Sequence, residues 1–337
     1  MKVLLFGYGL IGKERYDALI NLKLSSSKDI HVLDTNYGAK ILSTPDFKNK
    51  EYSLKNINFI DEKSIDTKYD LVIISTPHID AKKIFFEYKN LSDTVLIEKP
   101  MGLTLKDAEE MHKISNDFRK IFVGFNYRFF PPIQKLRHDL LNNEFGDLIS
   151  VSITLGLGHQ PGADKSWRLD KKQIPFGSLI DPGVHVLDLI NYLFGGISSI
   201  KAISSGNFWK KNMYEDISIL GKVHTDVNLS ARISNVMWRS TFELKVVGES
   251  GYGLIEGRGR SYGTQIYKTG KKWGWTEDKS QRDSEIIIAE SNCEDSFKDE
   301  IKDIFITNKN IAATSEDGYN AMKLIDEIDD ILKLQKI

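Results

Sequence analysis

Three short stretches of this chain carry residue types that could do chemistry together. Gly7-Tyr8-Gly9-Leu10-Ile11-Gly12 follows an apolar run at 2–6. Leu96-Ile97-Glu98-Lys99-Pro100-Met101-Gly102 sets a carboxylate and an ammonium directly after another apolar run. Asp181-Pro182-Gly183-Val184-His185-Val186-Leu187-Asp188 places an imidazole about one helical turn from a carboxylate on either side. A glycine-rich link between strand and helix suits a pyrophosphate. Gly7 permits a tight turn, Gly9 lets backbone amides approach the anion, Gly12 allows close helix packing, and the helix N-terminus, with Leu10 and Ile11, faces the negative charge. Asp34 ends the next apolar run, 22 residues beyond Gly12, where an acid for the ribose hydroxyls belongs. No Arg follows it in Thr35-Asn36-Tyr37 to accept a 2′-phosphate, which favours NAD over NADP. An imidazole amid Val184, Val186, Leu187, Leu189 and Ile190 needs a partner, and a nearby carboxylate suits a tuned acid–base group.

These residues need elements to hold them. Apolar runs at 2–6, 30–33, 70–74, 94–97 and 121–123 alternate with helical spacing at 10–24, 81–89 and 105–120. That order predicts a parallel, doubly wound sheet, with ligands outside the carboxyl ends of its strands. Thr76 and Pro77 after one run, and Glu98 and Lys99 after the next, therefore lie on the cofactor's rim, and His78 reads as a helix-start residue. From residue 147 the period changes to two: Ile149, Val151, Ile153, Leu155 and Leu157 alternate with small and polar residues. Further strand-like runs at 199–204, 216–223, 227–233, 237–247 and 259–268 complete a predominantly antiparallel sheet, one face covered and the other open to solvent, a ligand or a partner subunit. Asp181 and Pro182 read as the N-cap and first-turn proline of a helix ending near 193. The predicted fold is α/β, with a dinucleotide domain at 1–122 and an α+β substrate and oligomerisation domain at 123–337. Its terminal helices, with Phe297, Ile301, Ile304 and Phe305 and then Met322, Ile325, Ile328 and Leu332 on apolar faces, are expected to pack back toward the first domain.

The 337 residues, 41% hydrophobic and 28% charged, exceed what one core usually supports, so two domains are expected. With 46 basic against 47 acidic residues the chain has no long-range attraction for nucleic acid or an anionic membrane, and no run approaches ~20 apolar residues. Lone Cys293 excludes an internal disulfide framework, and seven scattered His show no metal-ligand spacing, so no metal is expected and a reducing cytoplasm is. The apolar start is closed by Lys13-Glu14-Arg15 without a cleavage motif and reads as folded protein, not a signal peptide.

Taken together, these residues resemble the glucose-fructose oxidoreductase, inositol dehydrogenase and rhizopine-catabolism (Gfo/Idh/MocA) oxidoreductases over nearly the whole chain. The likeness rests on Gly7-x-Gly9-x-x-Gly12, Thr76-Pro77, Glu98-Lys99-Pro100, Asn126-Tyr127-Arg128, Trp167-Arg168, Asp181-x-Gly183-x-His185-x-x-Asp188 and Ser315-Glu316-Asp317-Gly318. It implies a Rossmann domain followed by a domain with an open-faced antiparallel sheet, through which members commonly associate; a homodimer or homotetramer is expected. It further implies that Lys99 stands beside the nicotinamide and hydrogen-bonds the reacting hydroxyl, and that His185 is the general acid–base. Asp181 would hold His185 or a substrate hydroxyl, with Asn126, Arg128, Trp167 and Arg168 binding substrate. In such proteins the bond before the motif's proline is often cis. Two departures stand out. The family's frequent glycine triplet is here Pro175-Phe176-Gly177, and a histidine often found a few residues past its Thr-Pro is replaced by Ala81.

The expected activity is hydride transfer between NAD and a secondary hydroxyl or ketone of a sugar, cyclitol or sugar derivative. Lys165, Arg168, Lys171 and Lys172 would suit a phosphate or nucleotide group, though a charge run is usually a solvated face. Two rivals stay open. One is a redox-neutral NAD-dependent glycosidase on the same fold, which would accumulate no NADH. The other is a dinucleotide-binding sensor without turnover, against which Lys99, Asp181 and His185 argue, since a binder needs none of them.

Overall fold

Every side chain of Val3–Phe6 (β1) and Leu71–Ile74 (β4) is buried, the signature of parallel strands covered on both faces. The computed structural model describes residues 1–34, 56–115, 120–224, 226–274, 276 and 285–334, and they divide into two compact units. The first comprises Met1–Asn126 and Phe297–Tyr319; the second comprises Tyr127–Ser296 and Asn320–Ile337. The first unit thus runs past residue 122 and takes in part of the C-terminal region.

In the first unit Ile30–Leu33 (β2), Asn58–Phe59 (β3), Thr94–Ile97 (β5) and Lys120–Val123 (β6) join β1 and β4. The sheet order is Ala313–Thr314, β6, β5, β4, β1, β2, β3, parallel except for the antiparallel edge pair of Ala313–Thr314 with β6. Helices Leu10–Asn21 (α1), His78–Tyr88 (α2) and Leu105–Ser115 (α3) follow β1, β4 and β5. Thr104 and Asp107 start α3 by exchanging side chain-to-backbone hydrogen bonds at 3.1 Å each. Residues 116–119, inside the helix expected at 105–120, lie outside the described residues, and Lys120 already belongs to β6. His78 opens α2, as its position suggested.

The register matters most. Leu33, Phe6, Ile74, Ile97 and Val123 are aligned across β2, β1, β4, β5 and β6. The residues that follow them are Asp34, Gly7, Ser75, Glu98 and Gly124. One row along the carboxyl edge therefore carries Asp34, Gly7 and Glu98, with Thr76 and Lys99 one residue further on.

The second unit is built on eight strands: Leu148–Gly158 (β7), Ser198–Ser205 (β8), Asp216–Val223 (β9), Val227–Ser234 (β10), Val236–Gly248 (β11), Gly251–Glu256 (β12), Gln265–Lys271 (β13) and Ile286–Ser291 (β14). Their order is β14, β13, β12, β11, β7, β10, β9, β8, antiparallel throughout except for β7 with β10. Period-two alternation buries Val151, Ile153, Leu155, Leu229, Ala231 and Ile233. Pro131–Leu141 (α4) packs on β12–β14 and Gly183–Phe194 (α5) on β7 and β10. Ile203, Leu220 and Trp238 are exposed, each 58% or more. Among the described residues no helix is long and apolar enough to cross a membrane.

Ser296–Lys302 (α6) leads into the turn 303–307, which Asp303 organises. Its buried carboxylate accepts backbone N–H bonds from Lys309, Ile311 and Ala312 at 2.7–3.0 Å and the Thr307 hydroxyl at 2.9 Å. Burial alone would raise its pKa, but these donors outweigh it and hold the carboxyl below its ordinary 3.8. A depressed folded pKa contributes stability above the unfolded value that fades as pH falls through the folded one. Asp303→Asn is expected to lower stability at pH 7 by about 1–3 kcal/mol. Urea denaturation at neutral pH and again below about pH 4 checks this, with the gap between variant and wild type closing at low pH.

Candidate active site

The three motif glycines have three separate physical reasons. Gly7 sits at φ +83, and a Cβ there would come within 2.7 Å of the Ser75 carbonyl oxygen. At Gly12 it would come within 2.0 Å of the Gly7 carbonyl oxygen, so α1 packs against the turn only with hydrogen at that position. At Gly9 it would meet nothing within 4 Å, leaving room beside the start of α1, which has no side-chain cap. Ser75 props the turn, its hydroxyl lying 2.8 Å from the Gly7 carbonyl oxygen and 3.0 Å from that of Phe6. The adjacent Thr76 hydroxyl is buried with no hydrogen-bond partner among the described residues. Asp34 accepts the Tyr8 backbone N–H at 2.7 Å, fixing a carboxylate beside the glycines; Thr35, Asn36 and Tyr37 lie outside the described residues. Open space at a helix N-terminus, an orphaned buried hydroxyl and an adjacent acid fit a dinucleotide's pyrophosphate and ribose. Pro77 stands at the N-cap position of α2, and Leu10 and Ile11 are the first residues of α1.

Glu98 does not surface at its strand end. Only 9% exposed, it takes a 2.7 Å hydrogen bond from Nε of Arg15 on α1. Arg15, 0% exposed, also pairs through Nη1 with buried Glu300 of α6 at 2.5 Å and lies 4.8 Å from the ring centre of Phe297. Burial opposes its charge, but Glu300 and Glu98 outweigh burial and hold its pKa above the ordinary value. Gly124 makes room for the pair: a Cβ there would lie 2.6 Å from Glu98 Oε2 and 2.8 Å from Arg15 Nη2. Lys99 follows, half-buried at the edge of the sheet, and the Lys99–Pro100 peptide is cis. Asn126 is buried at the start of a 3-10 turn.

In the second unit His185 is 5% exposed on the first turn of α5, and its ring lies flat on Tyr127, centroids 3.8 Å apart and planes 1° apart. One expectation is corrected here. Asp181 does not cap α5; Pro182, after a second cis peptide, holds the N-cap position without a side-chain bond, and Asp181 meets Arg168 Nε at 3.2 Å. Asp188 takes Arg128 through Nε at 3.0 Å and Nη2 at 2.6 Å. Arg128, expected to touch substrate, is buried in this pair and against Tyr192, a placement that suits support of α5. Arg168 lies over Trp167, at 5.0 Å from the ring centre, on an exposed turn. Lys165 and Lys171 line an open cleft of about 580 Å³ with Lys211, Asp164 and Asp170, so its charge is mixed.

Sequence reasoning missed Arg15, Ser75, His159 and Arg258. His159 faces Trp209 edge-on; burial, together with Arg168's charge, lowers its pKa against the opposing pull of Asp181. Arg258 donates to the Tyr127 hydroxyl, and its only sequence signal is the run Gly257-Arg258-Gly259-Arg260. Among the described residues no group of His, Cys, Asp and Glu could hold a metal ion.

The chain thus pairs a glycine-turn parallel unit with one built on a mostly antiparallel sheet. Residues 1–125 match the oxidoreductase family with an NAD-binding Rossmann fold, and residues 133–252 match the GFO/IDH/MocA C-terminal domain. The chain belongs to the Gfo/Idh/MocA family. It is 33% identical over 103 residues to glucose-6-phosphate 3-dehydrogenase of Bacillus subtilis (strain 168), a match spanning 30% of this chain and 29% of that relative. A levoglucosan dehydrogenase structure in complex with NADH and levoglucosan superposes with a TM-score of 0.75 at 18% identity, covering 98% of this chain and 96% of that one. An NAD-binding oxidoreductase from Klebsiella pneumoniae gives 0.75 at 15% identity over 99% and 97%.

The Arg15 arrangement carries a test. Arg15→Met leaves two carboxylates buried without their cation and is expected to cost about 3–5 kcal/mol of unfolding free energy. Denaturant titration reads this, and a loss below about 1 kcal/mol, the scale of a solvated pair, would show that the carboxylates reach water.

Proposed function

We propose that this protein oxidises a secondary hydroxyl of a sugar, cyclitol or sugar derivative with NAD, or reduces the ketone in reverse. The observation that carries this reading is the single row at the carboxyl edge of the first sheet, where Asp34, the glycine turn, Ser75 with Thr76, and Glu98 with Lys99 follow register-aligned strand ends. Bound NAD would supply the hydride acceptor. Lys99 holds the reacting hydroxyl and stabilises negative charge as it develops on the oxygen. His185 takes the hydroxyl proton, a duty supported by its burial and by a ring plane fixed against Tyr127. Asp181, Arg168, Trp167 and Asn126 bind the remaining hydroxyls. The names of the relatives, acting on glucose 6-phosphate and levoglucosan, support a carbohydrate substrate. Absorbance of NADH, followed while sugars, sugar phosphates, nucleotide sugars and inositols are offered, tests the activity and identifies the substrate.

Asp34 beside the glycine turn favours ribose hydroxyls over a 2′-phosphate, so NAD is expected to bind more tightly than NADP in calorimetric titration. Asp34→Ala should narrow the preference, with a loss of about 1–3 kcal/mol in NAD binding. Equal or reversed affinities in the wild type would remove the assignment.

Lys99→Ala and His185→Ala should each bind NAD nearly normally yet lower turnover by roughly 10²–10⁴-fold. The double variant should lose less than the product of the two, because both groups serve one proton transfer. Single-turnover hydride transfer on folded variants decides this; wild-type rates in both would reopen the sensor reading.

A further inference from the structure

We propose that Arg258 is a positioning residue for His185, acting through Tyr127: the guanidinium pins the phenol, and the phenol ring fixes the plane of the imidazole. The proposal rests on the reading of His185 as the proton acceptor. All its parts lie within the second unit.

The contacts form a chain. His185 and Tyr127 are both buried, with rings parallel to within 1° at 3.8 Å. Tyr127 also stacks on Phe130 at 4.7 Å. The Tyr127 hydroxyl accepts a hydrogen bond from Arg258 Nη1, so the phenol is held by its polar end as well as its faces. Arg258 lies 5.1 Å from the centre of the Tyr127 ring and 4.1 Å from that of Tyr262.

What singles out Arg258 is the company it lacks. Arg15 and Arg128, which are buried, are each clamped by carboxylates, whereas Arg258 is half-buried. Arg258 forms no ion pair among the described residues, and its Nε is buried without a hydrogen-bond partner there. Partial desolvation of a cation without a carboxylate is costly, and a phenol oxygen and two aromatic rings offset only part of it. An arginine kept for packing alone gains little from such a place. The backbone is built to hold it there: Gly257 and Gly259 stand at φ +81 and +78, and a Cβ on them would come within 2.1 Å of the Thr264 and 2.2 Å of the Asn292 carbonyl oxygen. Asp181 is near enough for its charge to act on Tyr127, Arg258 and Tyr262. The guanidinium therefore belongs to the same cluster as the residues expected to meet substrate. Burial raises the Tyr127 pKa, with Arg258 opposing, so the phenol stays neutral at working pH and does not itself take the proton.

A fixed imidazole plane matters only while a proton is moving, so the loss should fall on kcat and spare KM. Tyr127→Phe keeps the stacked ring and removes only the acceptor; it should lower single-turnover hydride transfer by roughly 3–10-fold. Arg258→Met should lower it by about 10–100-fold, and Arg258→Lys, which can still reach the hydroxyl, should recover much of the loss. Both losses should leave KM within about twofold, and the double variant should be no slower than Arg258→Met alone. A second measurement needs no substrate. In histidine-labelled protein the His185 ring resonance should move in Tyr127→Phe and Arg258→Met, while the other six histidines hold their positions. An unmoved His185 resonance overturns the proposal, as does a rise in KM at constant kcat, which would make Arg258 a substrate contact. Multiplying losses in the double variant would likewise overturn it. A wild-type protein that oxidises nothing in the panel defeats the proposed function instead, and the resonance measurement still decides the coupling.

Discussion

A guanidinium removed from water has to be held by carboxylates, and Arg15 meets that requirement by drawing three distant parts of the first unit to one point. It comes from α1, the helix that opens with the glycine turn, and its partners are Glu98 at the end of β5 and Glu300 on α6. Desolvation costs several kcal/mol per ion and is recovered only in good geometry, so the arrangement tolerates little displacement. Lys99 is the next residue after Glu98, and its place relative to the glycine turn is set by that clamp.

The second unit repeats the device with other residues. His185 stands three positions before Asp188 on α5, and Asp188 is locked to Arg128. In both motifs the group suited to chemistry rides beside a buried acid that an arginine anchors. The glutamate of Glu-Lys-Pro and the last aspartate of Asp-x-Gly-x-His-x-x-Asp are thus fixing points. Lys99 and His185 ride on backbone that these anchored acids hold in place.

Much of this was legible in the residue pattern. Apolar runs separated by helical periodicity announce the parallel sheet, period-two alternation announces the second sheet, and the glycines mark the turn between β1 and α1, beside which Asp34 lies. What stayed hidden was long-range pairing. Arg15 reads as an ordinary charged residue and Glu98 as a residue of the cofactor's rim, because nothing local reveals a partner 83 positions away. Asp181 was misread as a helix cap since its neighbour Pro182 takes that position and its carboxylate turns back to Arg168. Helix α4 went unnoticed because Pro131-Pro132 looks like a break, though proline is tolerated in a first turn. Strand β14 was also missed, although Ile286-Ile287-Ile288-Ala289 is an apolar run; Ile286 and Ile287 are exposed.

The discontinuity of the first unit bears on how the chain is made. A ribosome releases residues 1–126 long before 297–319, yet Ile301 belongs to the same apolar cluster as Val3, Leu5, Leu19 and Ile30. Until residues 297–314 emerge Arg15 has one carboxylate instead of two, β6 remains an uncovered sheet edge, and part of the α1 surface lacks its cover. The nascent amino-terminal unit is therefore an incomplete fold with an open strand edge, the kind of species that invites misassociation and chaperone attention. Emergence of Glu300, followed 13 residues later by Ala313–Thr314, closes both defects in close succession. Completion of the first unit is thereby tied to emergence of residues 297–319, so a product truncated before them cannot finish the unit that its own first residues begin.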